Sequence, residues 1–342
     1  MGPLNQALTL FLSLLVEATP FLLLGVAFSS ILAIWVDERA LVKRLPKHPA
    51  LAALTGSLFG CLFPVCECGN VPVARRLLMQ GAPSAMAIGF LLAAPTVNPI
   101  VFWATWVAFR DQPAMVFWRV GLTVIIAVIM GWLFSTQKDL RPFLQPAIAR
   151  AMAPPAQATA VESSRSSGND LLSGGTFLLQ GQGQTLKLDA PFAEVMGAVA
   201  VLPQSASDKF RAVLEMMLQE FRELGAVLVM GSAIAATVQV AIPRGWILAL
   251  GQGPITSILA MMVLAWVVSI CSTVDSFFAL SFASVFTSGS LLAFLVFGPM
   301  IDLKNISLLL TTFKGPAVAY LFVLAALLTF VMTLAVNLYT NW

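Results

Sequence analysis

"SAMAIGFLLAAPTVNPIVFWATWVAF", Ser84 to Phe109, is the stretch that decides the fold. It contains no charged residue and exceeds the roughly 20 residues that a helix needs to cross a bilayer. Pro95 and Pro99 lie in its middle, where each removes a backbone donor, and Pro99 disfavours a helical conformation at Asn98. The sequence therefore predicts a membrane span whose helix is broken near its centre.

The whole chain has the composition of an integral membrane protein. Of its 342 residues, 59% are hydrophobic and 10% are charged, and the mean hydropathy is +0.90, whereas soluble domains carry roughly 25% charged residues. The net charge of +3 is small and scattered, so nothing indicates a nucleic-acid partner, and the lipid bilayer is the expected surrounding. The predicted full-length spans run from Phe11 to Trp35, Ser84 to Phe109, Met115 to Phe134, Leu224 to Ile242, Leu291 to Phe313 and Ala317 to Leu338, with shorter apolar runs from Leu51 to Val65 and Ile255 to Ser272.

The two membrane parts of the chain are similar to each other. "EATPFLLLG" from Glu17 matches "ELGAVLVMG" from Glu223 at an offset of 206 residues, and Cys66 matches Cys271 at an offset of 205. Farther along, "APTVN" and "GPMID" keep the same order. An internal repeat of this kind predicts two related halves. The predicted organisation is a first membrane repeat at 1–136, a soluble and partly disordered linker at 137–207, and a second membrane repeat at 208–342 that is preceded by an amphipathic helix.

The two short apolar runs decide how the halves are oriented. If each run enters the membrane and returns, each half crosses an odd number of times and the halves are inverted; four full crossings would make them parallel. Inversion places the basic loop of Arg39, Lys43, Arg44 and Lys47 in the cytoplasm together with the linker, as the positive-inside rule prefers. We therefore predict inverted repeats.

The second half carries a matching break. "FGPMIDLKN", from Phe297, takes the place of "AAPTVNPI". Backbone groups freed from a helix at membrane depth are costly unless they face a cavity, a ligand or a polar partner. Interrupted segments at corresponding positions of two halves are the best sequence indication of a transporter's midplane site. An ordinary proline kink, patched by neighbouring helices, is the alternative.

A short motif with cysteine and acidic residues precedes each predicted break. The first half has "CECGN" and the second has "CSTVD". Acidic residues inside a membrane are costly and typically face the protein interior or a wet path. Glu67 and Asp275 are therefore candidates for binding a coupling proton or cation. The alternative for Glu67 is a carboxylate at the interface that pairs with Arg75 or Arg76.

The thiols of Cys66 and Cys68 are adjacent but hard to join, because a Cys-x-Cys disulfide is strained. They can instead converge on one soft centre such as trivalent arsenic or copper(I), since thiolates prefer soft ions. Simple apolar packing is the alternative for both residues. A membrane thiol oxidoreductase that uses Cys66, Cys68 and Cys271 is an alternative function, and an uncoupled channel is another.

Two features outside these motifs also suggest roles. Glu17 and Glu223 recur at equivalent positions, each eight residues before a glycine, and are expected to cap helix ends or to line the pathway. "DKFRAVLEMMLQEFRELG", from Asp208, has an apolar face at helical spacing with charges opposite. It is either an interfacial helix or the solvated start of a membrane helix.

Motifs of nucleotide-binding loops, zinc proteases and serine hydrolases do not occur in the sequence. We therefore predict no cofactor, no catalytic residue and no enzymatic activity.

"FPVCECGNVPVARRLLMQGAPSAMAIGFLLAAPTVNPI", Phe63 to Ile100, closely resembles the signature of a bacterial predicted-permease family that includes the ArsP-type organoarsenical efflux permeases. In that family "C-x-C-G-x-x-P", "R-x-L", "G-x-P" and "A-P-x-x-N-P" motifs follow in this order. The resemblance implies a multi-span permease of the bacterial inner membrane and, for the ArsP-type members, efflux of trivalent organoarsenicals with cysteine thiols as arsenic contacts. The matched positions are Cys66, Cys68, Gly69, Asn70, Pro72, Pro95, Asn98, Pro99, Asp275, Pro299, Asp302 and Lys304.

The sequence thus predicts an all-α polytopic membrane protein with two structurally repeated halves of about four apolar segments each, whose broken helices meet near the membrane midplane. We expect a permease, a secondary transporter that moves a small molecule or ion by rocking one half against the other. Glu67, Asp275 and Asp302 are the predicted coupling residues. The predicted substrate-binding residues are Cys66, Cys68, Gly69, Asn70, Pro95, Asn98, Pro99, Cys271, Ser272, Thr273 and Pro299, with Cys66 and Cys68 as candidate ligands of a soft metal ion.

Overall fold

The structure, a computed structural model, describes residues 3–35, 46, 48–62, 66–136, 143–146, 148, 178–181, 184–187, 206–241, 253–283 and 285–339. These ranges fold into twelve α-helices and one small antiparallel hairpin, β1 (Leu178–Gly181) and β2 (Gln184–Lys187). The first-half helices are α1 (Pro3–Trp35), α2 (Pro49–Phe59), α3 (Glu67–Met79), α4 (Ser84–Ala93), α5 (Pro99–Ala108) and α6 (Pro113–Ser135). The second-half helices are α7 (Ala206–Ala241), α8 (Pro254–Val268), α9 (Asp275–Leu280), α10 (Ser288–Met300), α11 (Leu303–Thr312) and α12 (Gly315–Tyr339).

The helices of the two halves follow the same order. Each half begins with a long helix, of 33 residues in α1 and 36 in α7, and ends with another, of 23 residues in α6 and 25 in α12. In the first half α2, α4 and α6 pack against one another, as α8, α10 and α12 do in the second. Contacts of α1 with α7, and of α6 with α10 and α12, join the halves. This order agrees with the repeat in the sequence, and the inversion of the halves stays a prediction.

Five stretches of the described helices are long and apolar enough to cross a membrane. They are Leu4–Ile31, Pro113–Ser135, Phe210–Ala241, Ser288–Thr312, which comprises α10 and α11 together with the break between them, and Gly315–Tyr339. Each overlaps one predicted full-length span, and the prediction of an all-α polytopic membrane protein is confirmed. The remaining predicted span is divided between α4 and α5, of 10 residues each, so neither piece alone reaches across a bilayer.

Both predicted helix breaks are present, and both are capped by a side chain. Between α4 and α5 the chain leaves the helical conformation, and α5 restarts at Pro99, whose fixed backbone angle suits a first helical position. The Asn98 side chain accepts a hydrogen bond from an α5 amide at 2.9 Å. Asp302 caps α11 in the corresponding way through the amide of Asn305. Each cap satisfies a backbone donor that the broken helix would leave open.

Two glycines at equivalent sequence positions bring the long helices against other backbones. A Cβ atom on Gly25 would collide with the backbone oxygen of Gly69, so α1 and α3 cross in direct contact. A Cβ atom on Gly231 would lie 3.2 Å from the carbonyl oxygen of Lys304 and 2.8 Å from Ser307 Oγ. The glycines therefore hold α3 and α11, the two helices that carry the cysteine motif and the second break, close to the long helices.

The amphipathic segment is continuous with the membrane helix, because α7 runs unbroken through both. Its apolar residues Phe210, Leu214 and Leu218 point outward and are 70%, 45% and 54% exposed. Glu220, on the charged side, is instead fully buried. In a soluble protein the apolar face of such a helix points inward. Here it points outward, as expected where a helix faces lipid and turns its polar groups inward.

Part of the predicted linker is bound to the second half. The amide of Gln145 donates to the carbonyl of Thr312 at 3.0 Å, and the amide of Lys314 donates to the carbonyl of Phe143 at 2.8 Å. Leu144, between them, is fully buried. These residues are therefore packed against the turn between α11 and α12 and are not a free tether. Most of the predicted linker, and the basic loop on which the orientation was argued, lie outside the described residues.

Candidate functional site

The cysteine motifs of the two halves come together. Cys66 is the N-cap residue of α3, and Cys271 lies between α8 and α9. The sulfur atoms of Cys66 and Cys271 and a carboxylate oxygen of Glu67 all lie within 4.8 Å of one another, and all three residues are buried. We call these three residues the thiol cluster. Cys68 also interacts with the Cys66 thiol but lies outside the cluster, so the second thiol of the set comes from the other half.

A buried lysine balances the charge of the thiol cluster. Lys304 Nζ, in the first turn of α11, lies 3.1 Å from Glu67 Oε1 and 3.9 Å from Asp302 Oδ2. It also donates to the carbonyl oxygen of Ser269 at 3.4 Å. Enclosed charges cost several kcal/mol each unless they are paired. Two of the predicted coupling residues, Glu67 and Asp302, therefore share one cation.

The alternative prediction, that Glu67 lies at the interface and pairs with Arg75 or Arg76, is wrong, because Glu67 is buried and pairs with Lys304. Arg75 is paired with Glu223, with 3.4 Å between Nη1 and Oε2. The expectation that Glu17 and Glu223 cap helix ends is also wrong, because both lie well inside long helices. Glu17 is half-buried in α1, and its carboxyl group interacts with Cys271. It therefore adjoins the thiol cluster.

A second buried set of polar residues joins the halves, and we call it the arginine cluster. Arg119 in α6 binds Asp275 Oδ2 at 2.7 Å and donates to Ser276 Oγ and Thr105 Oγ1, each at 2.7 Å. It also donates to the carbonyl of Ser272 at 3.3 Å. The third predicted coupling residue, Asp275, is thus held by an arginine of the other half.

Several buried polar atoms near the two clusters have no hydrogen-bond partner among the described residues. They are Glu67 Oε2, both polar atoms of the Asn70 side chain, Ser272 Oγ and Asp302 Oδ2. Pro72 adds to them, since its missing amide hydrogen leaves the carbonyl of Cys68 without its helical donor. Buried polar groups are nearly always satisfied. The unfilled set therefore suits a bound molecule or water.

The other predicted substrate-binding residues are placed unevenly. Gly69 is taken up by the contact with α1, and Thr273 is half-buried and donates to Cys271 Sγ at 3.6 Å. Pro95 and Pro299 are buried, whereas Pro99 is exposed. Pro99 therefore shapes the break and does not line an enclosed site. The side chain of Asn98 is likewise used as a cap.

Sequence reasoning gave no role to four buried groups. Arg119 was detectable as a lone cation inside a predicted span, and intramembrane charges are functional candidates by default. Lys304 lies two residues after Asp302, but nothing in the sequence links it to Glu67. Ser269 carries no motif. Glu220 was hidden because its charged helix face was interpreted as solvated.

The chain thus has the fold of a multi-pass membrane protein, with buried thiols and paired charges shared between its two halves. The chain belongs to the ArsP_1 family of predicted permeases, whose profile matches residues 3–338. The "UPF0718 protein YcgR" of Bacillus subtilis (strain 168) is 37% identical over 310 residues, which cover 90% of this chain and 89% of that protein. A Streptococcus mutans serotype c (strain ATCC 700610 / UA159) protein named "Putative two-component membrane permease complex subunit" is 31% identical over 309 residues, covering 90% of this chain and 87% of that protein. No solved structure matches the chain.

Proposed function

We propose that this permease carries a small thiophilic molecule that binds at the thiol cluster. The observation that supports the proposal is the approach of Cys66, Glu67 and Cys271 within 4.8 Å, in buried positions contributed by both halves. Soft centres select thiol ligands. Because the cargo would be held by both halves, movement of one half relative to the other could release it, as alternating access requires.

The charges around the cluster favour a neutral cargo over a free metal cation. Lys304 Nζ lies 3.1 Å from Glu67 Oε1, so a metal cation bound to that carboxylate would have to displace the lysine. A trivalent organoarsenical with two hydroxyl groups on arsenic is neutral. It condenses with two thiols to form two As–S bonds, and each hydroxyl leaves as water with one thiol proton. The net charge of the site does not change, so a trivalent organoarsenical is the cargo that we propose.

The transport cycle in this proposal uses the two halves as inverted repeats. Residues 1–136 and 208–342 are the repeats, and the linker 137–207 lies on the cytoplasmic side of the inner membrane. Glu67 and Asp302 exchange a coupling proton while sharing Lys304, and the halves rock about the contact between α1 and α7. The arginine cluster holds Asp275 at the second joint between the halves.

Phenylarsine oxide, a trivalent arsenical that bridges two thiols, tests the site. We expect the purified full-length protein to bind it, and the variants Cys66→Ser and Cys271→Ser each to bind roughly 100-fold more weakly, because loss of one of two linked contacts removes the chelate advantage. Cys61→Ser is the matched control, since Cys61 is exposed and outside the cluster. Calorimetry gives the affinities, and flux of the same compound into proteoliposomes tests transport.

The outcomes separate the function from its alternative. If Cys271→Ser binds as tightly as Cys61→Ser, the cluster is not the cargo site. If the compound binds but its flux in proteoliposomes equals that of protein-free vesicles, the permease does not carry this cargo. A disulfide between Cys66 and Cys271 in the oxidised protein, detected by thiol labelling, that is needed for activity would instead support a thiol oxidoreductase.

A further inference from the structure

A separate acidic site lies between α1, α3 and α7, away from the thiol cluster. Glu220 is fully buried there, and its Oε1 atom accepts a hydrogen bond from Ser29 Oγ at 3.2 Å. Its Oε2 atom has no partner among the described residues. A buried carboxylate with one neutral donor and an open oxygen is costly to keep charged. A proton on this carboxyl group removes that cost.

The few ligands around Glu220 favour a proton over a metal cation. Arg75 and Arg76 of α3 act on it electrostatically, as does Glu223 on its own helix, and α1 contributes only the neutral Ser29. Arg75 is drawn toward Glu223, 3.4 Å away. The two positive charges oppose a proton as well as a metal cation, but sodium or potassium also needs several oxygen ligands. A proton needs a single oxygen and no further ligand.

The hydrogen bonds of Ser29 can serve both protonation states of Glu220. The Ser29 hydroxyl has one hydrogen and two acceptors in reach, Glu220 Oε1 at 3.2 Å and the Pro72 carbonyl at 3.4 Å. With Glu220 ionised, the hydroxyl donates to the carboxylate. With Glu220 protonated, the acid O–H donates to Ser29 Oγ, and Ser29 donates to Pro72. Each hydrogen keeps an acceptor in both states, so a proton can bind or leave without stranding a buried donor.

We propose that Glu220 is a proton-binding residue, with Ser29 as its positioning residue, and that the proton reaches it along α3 from the thiol cluster. Pro72 is five residues after Glu67, a rise of about 7.5 Å. Asn70 lies between them, fully buried, with neither polar atom of its side chain bonded to a described residue. Its amide can hold the water that such a gap requires. This assignment of Glu220 does not depend on the identity of the cargo.

Infrared difference spectroscopy on the full-length protein in lipid vesicles tests the proposal without any cargo. We expect a pH-dependent C=O stretch of a protonated carboxyl group that is lost in Glu220→Gln and kept in Glu215→Gln, the matched control on the exposed side of the same helix. Ser29→Ala retains the acid but removes its hydrogen bond, so the same band should move to higher wavenumber.

Each outcome decides the assignment. A spectrum of Glu220→Gln that retains every carboxyl band of the control overturns it. Should Glu220→Gln fail to fold, Ser29→Ala decides alone: a shifted band supports the site, and an unchanged spectrum rules it out. The infrared experiment measures protonation and uses no cargo. If the proposed cargo is wrong, the carboxyl band should still appear, and if Glu220 does not bind a proton, the protein should still bind phenylarsine oxide.

Discussion

Replacement of Lys304 by methionine should strongly destabilise the folded protein. Lys304 Nζ lies 3.1 Å from Glu67 Oε1 and 3.9 Å from Asp302 Oδ2, and all three side chains are at most 2% exposed. With an effective dielectric constant of about 20, the two attractions are worth about 5 and about 4 kcal/mol. The lysine's own desolvation offsets part of this, so we expect a loss of about 3–5 kcal/mol, the usual cost of removing one partner from a buried pair.

The second variant isolates the pairing from the loss of volume. Glu67→Gln combined with Lys304→Met removes both members of the closest pair and leaves one charge, on Asp302, without its cation. We expect the double variant to be more stable than Lys304→Met alone, because the uncompensated charge at Glu67 is gone. Equilibrium unfolding in detergent micelles gives the free energies, with the exposed Arg222→Met as control. A loss below about 1 kcal/mol for Lys304→Met, or a double variant less stable than Lys304→Met, would refute the reasoning.

Three further predictions concern the joints between helices. Arg119→Gln should cost about 3 kcal/mol in the same unfolding measurement, because it leaves the buried Asp275 without its cation, and Arg119→Gln with Asp275→Asn should recover part of the loss; equal stability of single and double variants would contradict this. Gly25→Ala should lower the melting temperature through a backbone collision, whereas Gly121→Ala, which meets open space, should not; a matching drop in both would argue against the crossing. Asn98→Ala should cost about 1 kcal/mol by loss of the α5 cap, and retention of full stability by this variant would show that the cap is not needed.

The helix breaks could be predicted because their causes are local. Pro99 restricts the residue before it, and asparagine or aspartate at the restart provides a cap, so both breaks are encoded within a few residues. The repeat added a second copy of the same signal at the corresponding place. The cysteine motifs could be found because they too are local, each lying within five consecutive residues.

The partners across the halves could not be predicted in this way. Lys304 and Glu67 are 237 residues apart in the chain. From the sequence alone, the basic residues nearest to Glu67, Arg75 and Arg76, are the expected partners. Tertiary packing decided otherwise, since α3 and α11 meet in the folded chain. Glu220 was missed because the charged face of an amphipathic helix was expected to face water. In this protein the apolar face of the helix faces lipid, so the charged face points into the protein.

The ion pairs that join the two halves should make each half unstable without the other. Glu67 and Arg119 belong to the first half, and their partners Lys304 and Asp275 belong to the second. The first half alone would expose Glu67 and Arg119 without their partners on the surface where the second half should dock. The second half alone would expose an unpaired Asp275, and Lys304 would keep only Asp302. Expressed as two polypeptides, the halves should thus be obligate partners: each unstable by itself, and each restored by the other.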